Sequence, residues 1–457
     1  MVKTIFLIEW KAFYRVPLLI ASYIFLLLAG LYAIHYGNKE ISKQRSVIQL
    51  VEEKGIKQFD SLMRGFAVDT TQASGKKAWR DVAEPRYTWY TQKYPAVFQP
   101  SSLSSLSLGF RDIFPYYQEI QSHSLYMQIF KSEITNPEKL LTGNLDLAFV
   151  LIFLFPLFVI GFGYDIVSGE KESGVYAIIK TQATSFSTIV FLKLLSRFLL
   201  VAVLAMVLCI TGKASFLWSG ITLLYIAFWH AVVYFTGSLN RNSSFNAMML
   251  VGAWLLLLIV LPALFNAMAI YRYPIDQTNL SNYIRRIQVD ESKEGLSNLA
   301  KMYYAKFPEL DDHDTSWPNL YKKAYPMAGE IGDSLARPVV HNYYNQIKAR
   351  NRFITYFNWI NPAVNTQQVF NSMACTDITS FMQYQKALEI FHRRLVKFYH
   401  EPLYLNKTFK QSEYKNKPAF AWQSTVEWNE IWNGILILLI WTWLLSIAGY
   451  VKFRKAD

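Results

Sequence analysis

Six stretches of this sequence are apolar for about twenty residues each, the length an α-helix needs to cross a bilayer core of roughly 30 Å. They run over residues 17–36, 145–164, 189–210, 216–236, 245–269 and 431–451. In hydrocarbon every backbone amide and carbonyl must be satisfied inside the spanning segment, and a helix does that. The expectation is an all-α polytopic membrane protein with six transmembrane helices. Composition agrees: 52% of the 457 residues are hydrophobic and 17% charged, against about 25% charged in a soluble chain.

The net charge of +13 raises nucleic acid as a partner, and its distribution argues against it. Residues 37–144 carry 14 Lys and Arg against 11 Asp and Glu, and residues 268–431 carry 20 against 16. The short remaining pieces carry 12 against 6. Positive charge packed beside apolar runs is what orients membrane spans. No segment joins a basic stripe to a nucleic-acid fold signature, so no nucleic acid is expected. Lys3, Lys11 and Arg15 precede the first run, and Lys171, Lys180, Lys193 and Arg197 lie between the second and third or in the third's first turns. Arg241 lies between the fourth and fifth, and Lys452, Arg454 and Lys455 follow the sixth. These fall on one side if every run crosses, while the opposite short loop, 211–215, has only Lys213. Both termini are then cytoplasmic, and 37–144 and 270–430 lie outside the cytoplasm.

Both long segments are too apolar and aromatic to be disordered. The first holds Tyr87, Trp89, Tyr90 and Tyr94, then Phe114, Tyr116 and Tyr117. Its Ile41, Ile48, Val51, Phe59, Leu62 and Phe66 continue a helical pattern out of the first span. In the second, Phe381, Tyr384, Leu388, Phe391, Leu395 and Phe398 recur every three or four residues after a cap at Asp377 or Thr379. The expectation is one mainly helical extracytoplasmic domain formed by both insertions. The two cysteines, Cys209 in an apolar run and Cys375 in a hydrophilic loop, exclude a disulfide framework. The first run is not followed by a small-x-small cleavage site, so a retained span is expected.

Residues 1–16 are expected to form a cytoplasmic interfacial helix. Ile5, Phe6, Ile8, Ala12 and Phe13 oppose Lys3, Glu9, Lys11 and Arg15, and Pro17 breaks the chain before the first span. Residues 165–188 form the one longer internal link, with three spans following over 189–269 and a short tail over 452–457. In it Gly169 and Gly174 bracket Glu170 and Glu172, and Val175, Ala177, Ile178 and Ile179 make a small apolar patch. Such a segment can lie along the membrane and insert its apolar face into a groove on a soluble partner, with its acids paired to partner bases.

This link resembles that of the permeases of ABC-2 type transporters, where a pattern like E-x-E-x-G-T-L-x-x-L-L-x-x-P is followed by a Lys opening the next helix. The match is at Glu170, Glu172, Gly174, Ile178, Ile179 and Lys193, with Val175 for the usual Thr and Ala183 near the usual Pro. A second stretch, Asn361-Pro362-Ala363, then Ala374-Cys375-Thr376-Asp377, then Phe381, resembles the N-P-A…A-G-T-D…F pattern of a bacterial ABC-2 subfamily of unassigned function with two large extracytoplasmic insertions. Cys375 stands where that pattern has Gly.

The resemblance implies a permease subunit in the bacterial inner membrane, paired with a second permease, alike or different, and served by a cytoplasmic ABC ATPase dimer. Energy would enter through an ATPase-coupling set made of Glu9, Gly169, Glu170, Glu172, Gly174, Tyr176, Ile178 and Ile179. Mg-ATP would belong to the partner ATPase. This chain contains no G-x-x-x-x-G-K-S/T loop to cradle phosphates, so no cofactor of its own and no enzymatic activity are expected.

Other candidates are weaker. Lys193 and Arg197 sit at the cytoplasmic end of the third span, as charge anchors or as partners of Glu170 or Glu172. His230, mid-span beside Trp229, is a candidate for a pore or dimer interface, against the plainer reading of a packed, hydrogen-bonded residue. The acidic run from Glu309 to Asp314 reads as a solvated loop rather than a metal site, since adjacent residues rarely converge on one ion. His392 and His400, eight apart, read as surface or cap residues. Three functions compete: an export permease contacting membrane lipid, a mechanotransmission subunit acting on a periplasmic protein without transport, and a membrane-embedded enzyme. The last would need clustered intramembrane ionisable residues, of which there are few.

Overall fold

The computed structural model describes residues 2–130, 145–177, 186–293 and 295–456, and is mostly helical. Among the described residues six helices are long and apolar enough to cross a membrane: Pro17–Gly65, Leu147–Glu172, Phe186–Thr211, Phe216–Ser238, Ser243–Ile287 and Trp428–Lys455. They are called the first to sixth spans here. The first is one unbroken helix that runs far past its apolar part, as the periodicity to Leu62 predicts, with Ile41, Ile48 and Leu62 all buried. The second and fifth each contain one π-helical turn, Val150–Leu154 and Leu256–Val260, directly ahead of Pro156 and Pro262.

Both termini sit at one end of the bundle, the base. There α1 (Val2–Arg15) lies against the third span, and Phe453 of the sixth packs on Tyr234 of the fourth, ring centroids 5.1 Å apart. The apolar face expected of α1 is rotated. Glu9 and Phe13 are its buried residues, while Leu7, Ile8, Trp10 and Tyr14 are exposed with Lys3, Lys11 and Arg15. Glu9 therefore does not belong to a solvated face, because its charge has buried partners, described below.

The two hydrophilic segments join in a shared body, the head. Its core takes Leu62, Trp89, Phe98, Ile120 and Tyr126 from the first and Val340, Tyr344, Phe381, Tyr384, Leu388, Phe391 and Leu395 from the second. A two-stranded antiparallel sheet pairs β1 (Tyr94–Val97) with β2 (Tyr117–Ile120), Tyr94 opposite Ile120. The short helix α2 (Leu125–Ile129) follows. The remaining helices used below are α3 (Ser168–Glu172), α4 (Trp317–Tyr356), α5 (Pro362–Ala374) and α6 (Ile378–Tyr404). The α6 periodicity is as read from the sequence: Asp377 accepts Ser380 N–H at 3.3 Å as its cap, and Phe381, Tyr384, Leu388, Phe391 and Leu395 are buried.

One part of the second segment does not stay in the head. The chain descends along α4, turns at 357–361 and returns as α5 inside the bundle. Ala363, Val369, Phe370, Met373 and Ala374 belong to the bundle core, and Phe370 stacks on Trp218 of the fourth span at 4.1 Å. At the turn, Asn361 Nδ2 donates to the carbonyl of Leu257 at 2.6 Å, and Trp441 Nε1 donates to that of Trp359 at 2.8 Å. Leu257 and Trp441 each lie fourteen residues from the base end of their span, about 21 Å at 1.5 Å per residue. The hairpin thus reaches halfway down the bundle, so residues 270–430 pack partly in the head and partly among the spans. Its polar residues cap, or bind carbonyls of, the helices around them, which is how a polar sequence can be buried there.

Candidate functional site

At the base, α1, α3 and the third span meet in a cluster of five charged side chains. Lys193 and Arg197 are one turn apart on the third span and project to one side. Glu9, 4% exposed, takes both: its Oε2 accepts from Arg197 Nε at 2.8 Å, and its Oε1 lies 3.5 Å from Lys193 Nζ. Lys193 also bridges to Glu170 on α3. Arg197 reaches Asp165 Oδ1 at 3.3 Å, donates to the carbonyl of Phe162, and lies 4.9 Å over that residue's ring. Phe13 packs on Phe162 and Tyr23 at 5.4 and 5.6 Å, closing an apolar wall beside the charges. The two cations thus hold α1 and α3 to one helix. The partners expected of Glu170 and Glu172 divide, with Glu170 on a cation and Glu172 elsewhere.

Glu172 sits at the N-terminus of the fifth span. Its Oε1 accepts Ser243 N–H at 2.8 Å and its Oε2 accepts Ser243 Oγ–H at 2.9 Å. A carboxylate there meets unsatisfied amides and the positive end of the helix dipole. Ser168 Oγ is 2.8 Å from Ser243 Oγ, and Asn246 Nδ2 donates to Tyr164 O and Ser168 Oγ, both at 3.3 Å. Lys171 bonds Asn240 and lies 4.9 Å over the Tyr176 ring. Tyr176 packs edge-on against Phe186, which in turn meets Phe453 of the sixth span. Residues 165–177 are therefore tied to the third and fifth spans, and through Lys193, Arg197 and Phe186 of the third span to α1 and the sixth.

The two glycines differ. Gly174 has φ +78° and donates to Lys171 O at 3.1 Å, closing α3 in the left-handed conformation glycine favours. At Gly169 an added Cβ would meet Asp165 only at 3.6 Å, an ordinary contact, so packing does not require glycine there. Glu172 to Val175 are exposed. Ile178, Ile179 and Ala183 lie outside the described residues.

His230 is buried in the fourth span. Its Nδ1 is 2.9 Å from the carbonyl of Ile226, and its ring stands edge-on to Phe198 at 5.4 Å. It lines a furrow of about 580 Å³ between the third, fourth and sixth spans, with Phe191, Leu195, Tyr234, Ser446 and Ile447.

The motif residues of the second segment have architectural positions. Asn361 Oδ1 accepts from Ala363 and Val364 N–H at 3.1 and 3.2 Å, capping α5 with Pro362 at its first position. Thr376 O accepts Phe110 N–H at 2.8 Å. Asp377 caps α6, and Phe381 stacks on Phe114 at 3.9 Å. Cys375, where the pattern has Gly, has φ +53°.

Two readings of other residues are corrected. His392 and His400 are buried, not at the surface: His392 Nε2 is 2.6 Å from His123 O, and His400 Nδ1 is 3.4 Å from Tyr303 Oη. Asp312 is no solvated loop residue either. It accepts from the fully buried Lys323 at 2.7 Å and from Asn319 and Asn406 at 3.0 and 2.6 Å. Burial pushes its carboxyl up, Lys323 and Asn319 pull it down, and the net direction is down. Among the described residues no group of three His, Cys, Asp or Glu side chains is placed to hold a metal ion.

The charge cluster at the base has a weak signature in sequence. The i, i+4 spacing of Lys193 and Arg197 marks a shared face, but Ser243 and Asn246 as partners of α3 had no signal, being seventy residues distant.

Compared with known families, residues 280–423 match a domain of unknown function (DUF3526). The matched stretch includes α4, the hairpin with α5, and α6. No curated protein matches the chain.

Proposed function

We propose that this chain is the transmembrane permease subunit of an ATP-driven ABC-2 type exporter in a bacterial inner membrane, its base and both termini in the cytoplasm and its head outside. A separate cytoplasmic ABC ATPase dimer would hydrolyse Mg-ATP, and a second permease, identical or similar, would complete the assembly. The observation that carries this reading is the construction of the base. Residues 165–177 present Glu172 to Val175 outward, while ion pairs tie the same segment to the third span and hydrogen bonds tie it to the fifth; through Lys193, Arg197 and Phe186 the third span connects it in turn to α1 and the sixth. A push on that surface is delivered to several helices at once, which is what a subunit driven from outside requires.

A second reading, mechanotransmission to a periplasmic protein, is supported by the hairpin, which links the bundle's middle to the head. The test is to express the tagged chain in its native host, identify any ABC ATPase that copurifies with it, reconstitute the pair in nanodiscs and measure ATP hydrolysis. Val175→Glu, on the exposed surface, should abolish association and leave the chain folded. A chain that purifies without any ATPase, or a complex indifferent to Val175→Glu, would sink the reading.

A further inference from the structure

Four side chains cross the bundle at one level, and each donates to a carbonyl of a neighbouring helix or turn. Tyr225 Oη of the fourth span donates to Ile152 O at 3.1 Å, and Trp254 Nε1 of the fifth to Phe153 O at 3.0 Å. Asn361 Nδ2 donates to Leu257 O, and Trp441 Nε1 of the sixth to Trp359 O. Three of the four acceptors lie within the π turns at Val150–Leu154 and Leu256–Val260. A π turn widens the amide–carbonyl ladder, leaving carbonyls open to side-chain donors, and it marks a place where a helix bends or re-registers. The fourth span, second span, fifth span, hairpin and sixth span are linked in that order.

The hairpin carries this level outward. α5 has 13 residues, about 20 Å of helix. Along it Asn365 Nδ2 donates to Gly434 O of the sixth span at 2.8 Å. At its far end Asn371 Oδ1 accepts from Ser107 Oγ at 2.6 Å, and Ala374 O accepts from Ser101 and Ser104 at 2.6 and 2.9 Å. Thr376 O takes Phe110 N–H, and Asp377 opens α6, the main helix of the head core.

We propose that residues 357–377 form a strut that transmits bending of the spans at their π turns to the head, through the 101–111 loop and the first turns of α6. This stands on the chain alone and does not depend on the ATPase reading.

The test is hydrogen exchange of the full chain in nanodiscs, read by mass spectrometry. Trp441→Phe deletes one N–H donor and keeps a smaller aromatic ring in its place. Asn361→Ser keeps a capping oxygen for α5 and loses the donor to Leu257. Each should raise exchange about tenfold at 101–111 and 376–384, some 20 Å from the change, leaving 388–404 unchanged. Changes confined to 357–366 would make the hairpin a local plug and overturn the proposal. A rise across the whole head, or none, would overturn it equally, since the first is general destabilisation and the second is absence of coupling. If one variant fails to fold, the other carries the test.

Discussion

Arg197 of the third span donates its Nε–H to Glu9 of α1 at 2.8 Å, joining residues 188 positions apart, with side chains only 12% and 5% exposed. A charge that well buried is stable only while paired, and removing one partner strands the other at a cost of about 3 kcal/mol. Arg197→Met should therefore loosen α1 at somewhat less than that cost, because Glu9 loses its shorter ion pair and keeps the longer one to Lys193 at 3.5 Å, a cation it shares with Glu170. Limited proteolysis would show early cleavage within residues 2–15 and a lowered Tm. The double variant Glu9→Gln with Arg197→Met should recover part of the loss.

Cys375 holds φ +53° at the end of α5, donating to Asn371 and Ser372 carbonyls. A side chain in the left-handed region costs about 1–2 kcal/mol that glycine avoids. The Cys375 side chain is also buried, so Cys375→Gly should leave stability within about 1 kcal/mol of wild type as the backbone relief offsets the lost packing, whereas Cys375→Ala, which loses the sulfur without that relief, should fall below Cys375→Gly. Thermal unfolding of the three chains in one detergent decides it.

Gly37 packs where the first span meets the 101–108 loop. A Cβ there would fall 1.9 Å from the Ser105 carbonyl oxygen, a backbone atom that cannot rotate away. Gly37→Ala should cost about 1–3 kcal/mol, the usual range for overpacking, and should loosen the loop that meets α5. Gly220→Ala, inside the fourth span with nothing within 4 Å of the added atom, is the control and should hold or slightly raise Tm, since Ala favours a helix over Gly by up to about 1 kcal/mol. Equal losses in both would remove the packing argument.

The parts legible in sequence were those with a period. Six apolar runs gave the spans, and the three-to-four spacing from Phe381 to Phe398 gave α6 with its Asp377 cap. The hairpin was hidden because its burial is achieved by polar residues. Asn358, Asn361, Asn365, Gln367, Gln368 and Asn371 look like a solvated loop until their partners, such as Leu257 O and Gly434 O, are known. Glu9 misled for the same reason. Its opposite charges lie near residue 195, and no local pattern reveals a pair of that separation.

The head should lose stability in acid through two histidines. Burial pushes His392 and His400 down to about 4, from about 6.5 in the unfolded chain. Between those values the unfolded chain binds two protons that the folded head does not, so stability falls as pH drops from about 6.5 to 4. Asp333 works in the opposite direction. Its carboxyl is buried while accepting from Ser124 Oγ at 2.6 Å and Leu125 N–H at 2.7 Å, and burial pushes it up to about 7. It binds a proton in the folded state that the unfolded chain has lost, so its contribution is complete in acid and disappears as pH rises through about 7. Two protons against one leaves a net loss in acid. Replacing both histidines by Gln should therefore invert the trend, with Tm rising slightly from pH 7 to pH 5 relative to wild type. Asp333→Asn should steepen the acid loss instead. Thermal unfolding of the full chain in nanodiscs across pH 4.5–7.5 reads both, and curves for the three chains that run parallel would show that these side chains are not the groups responsible.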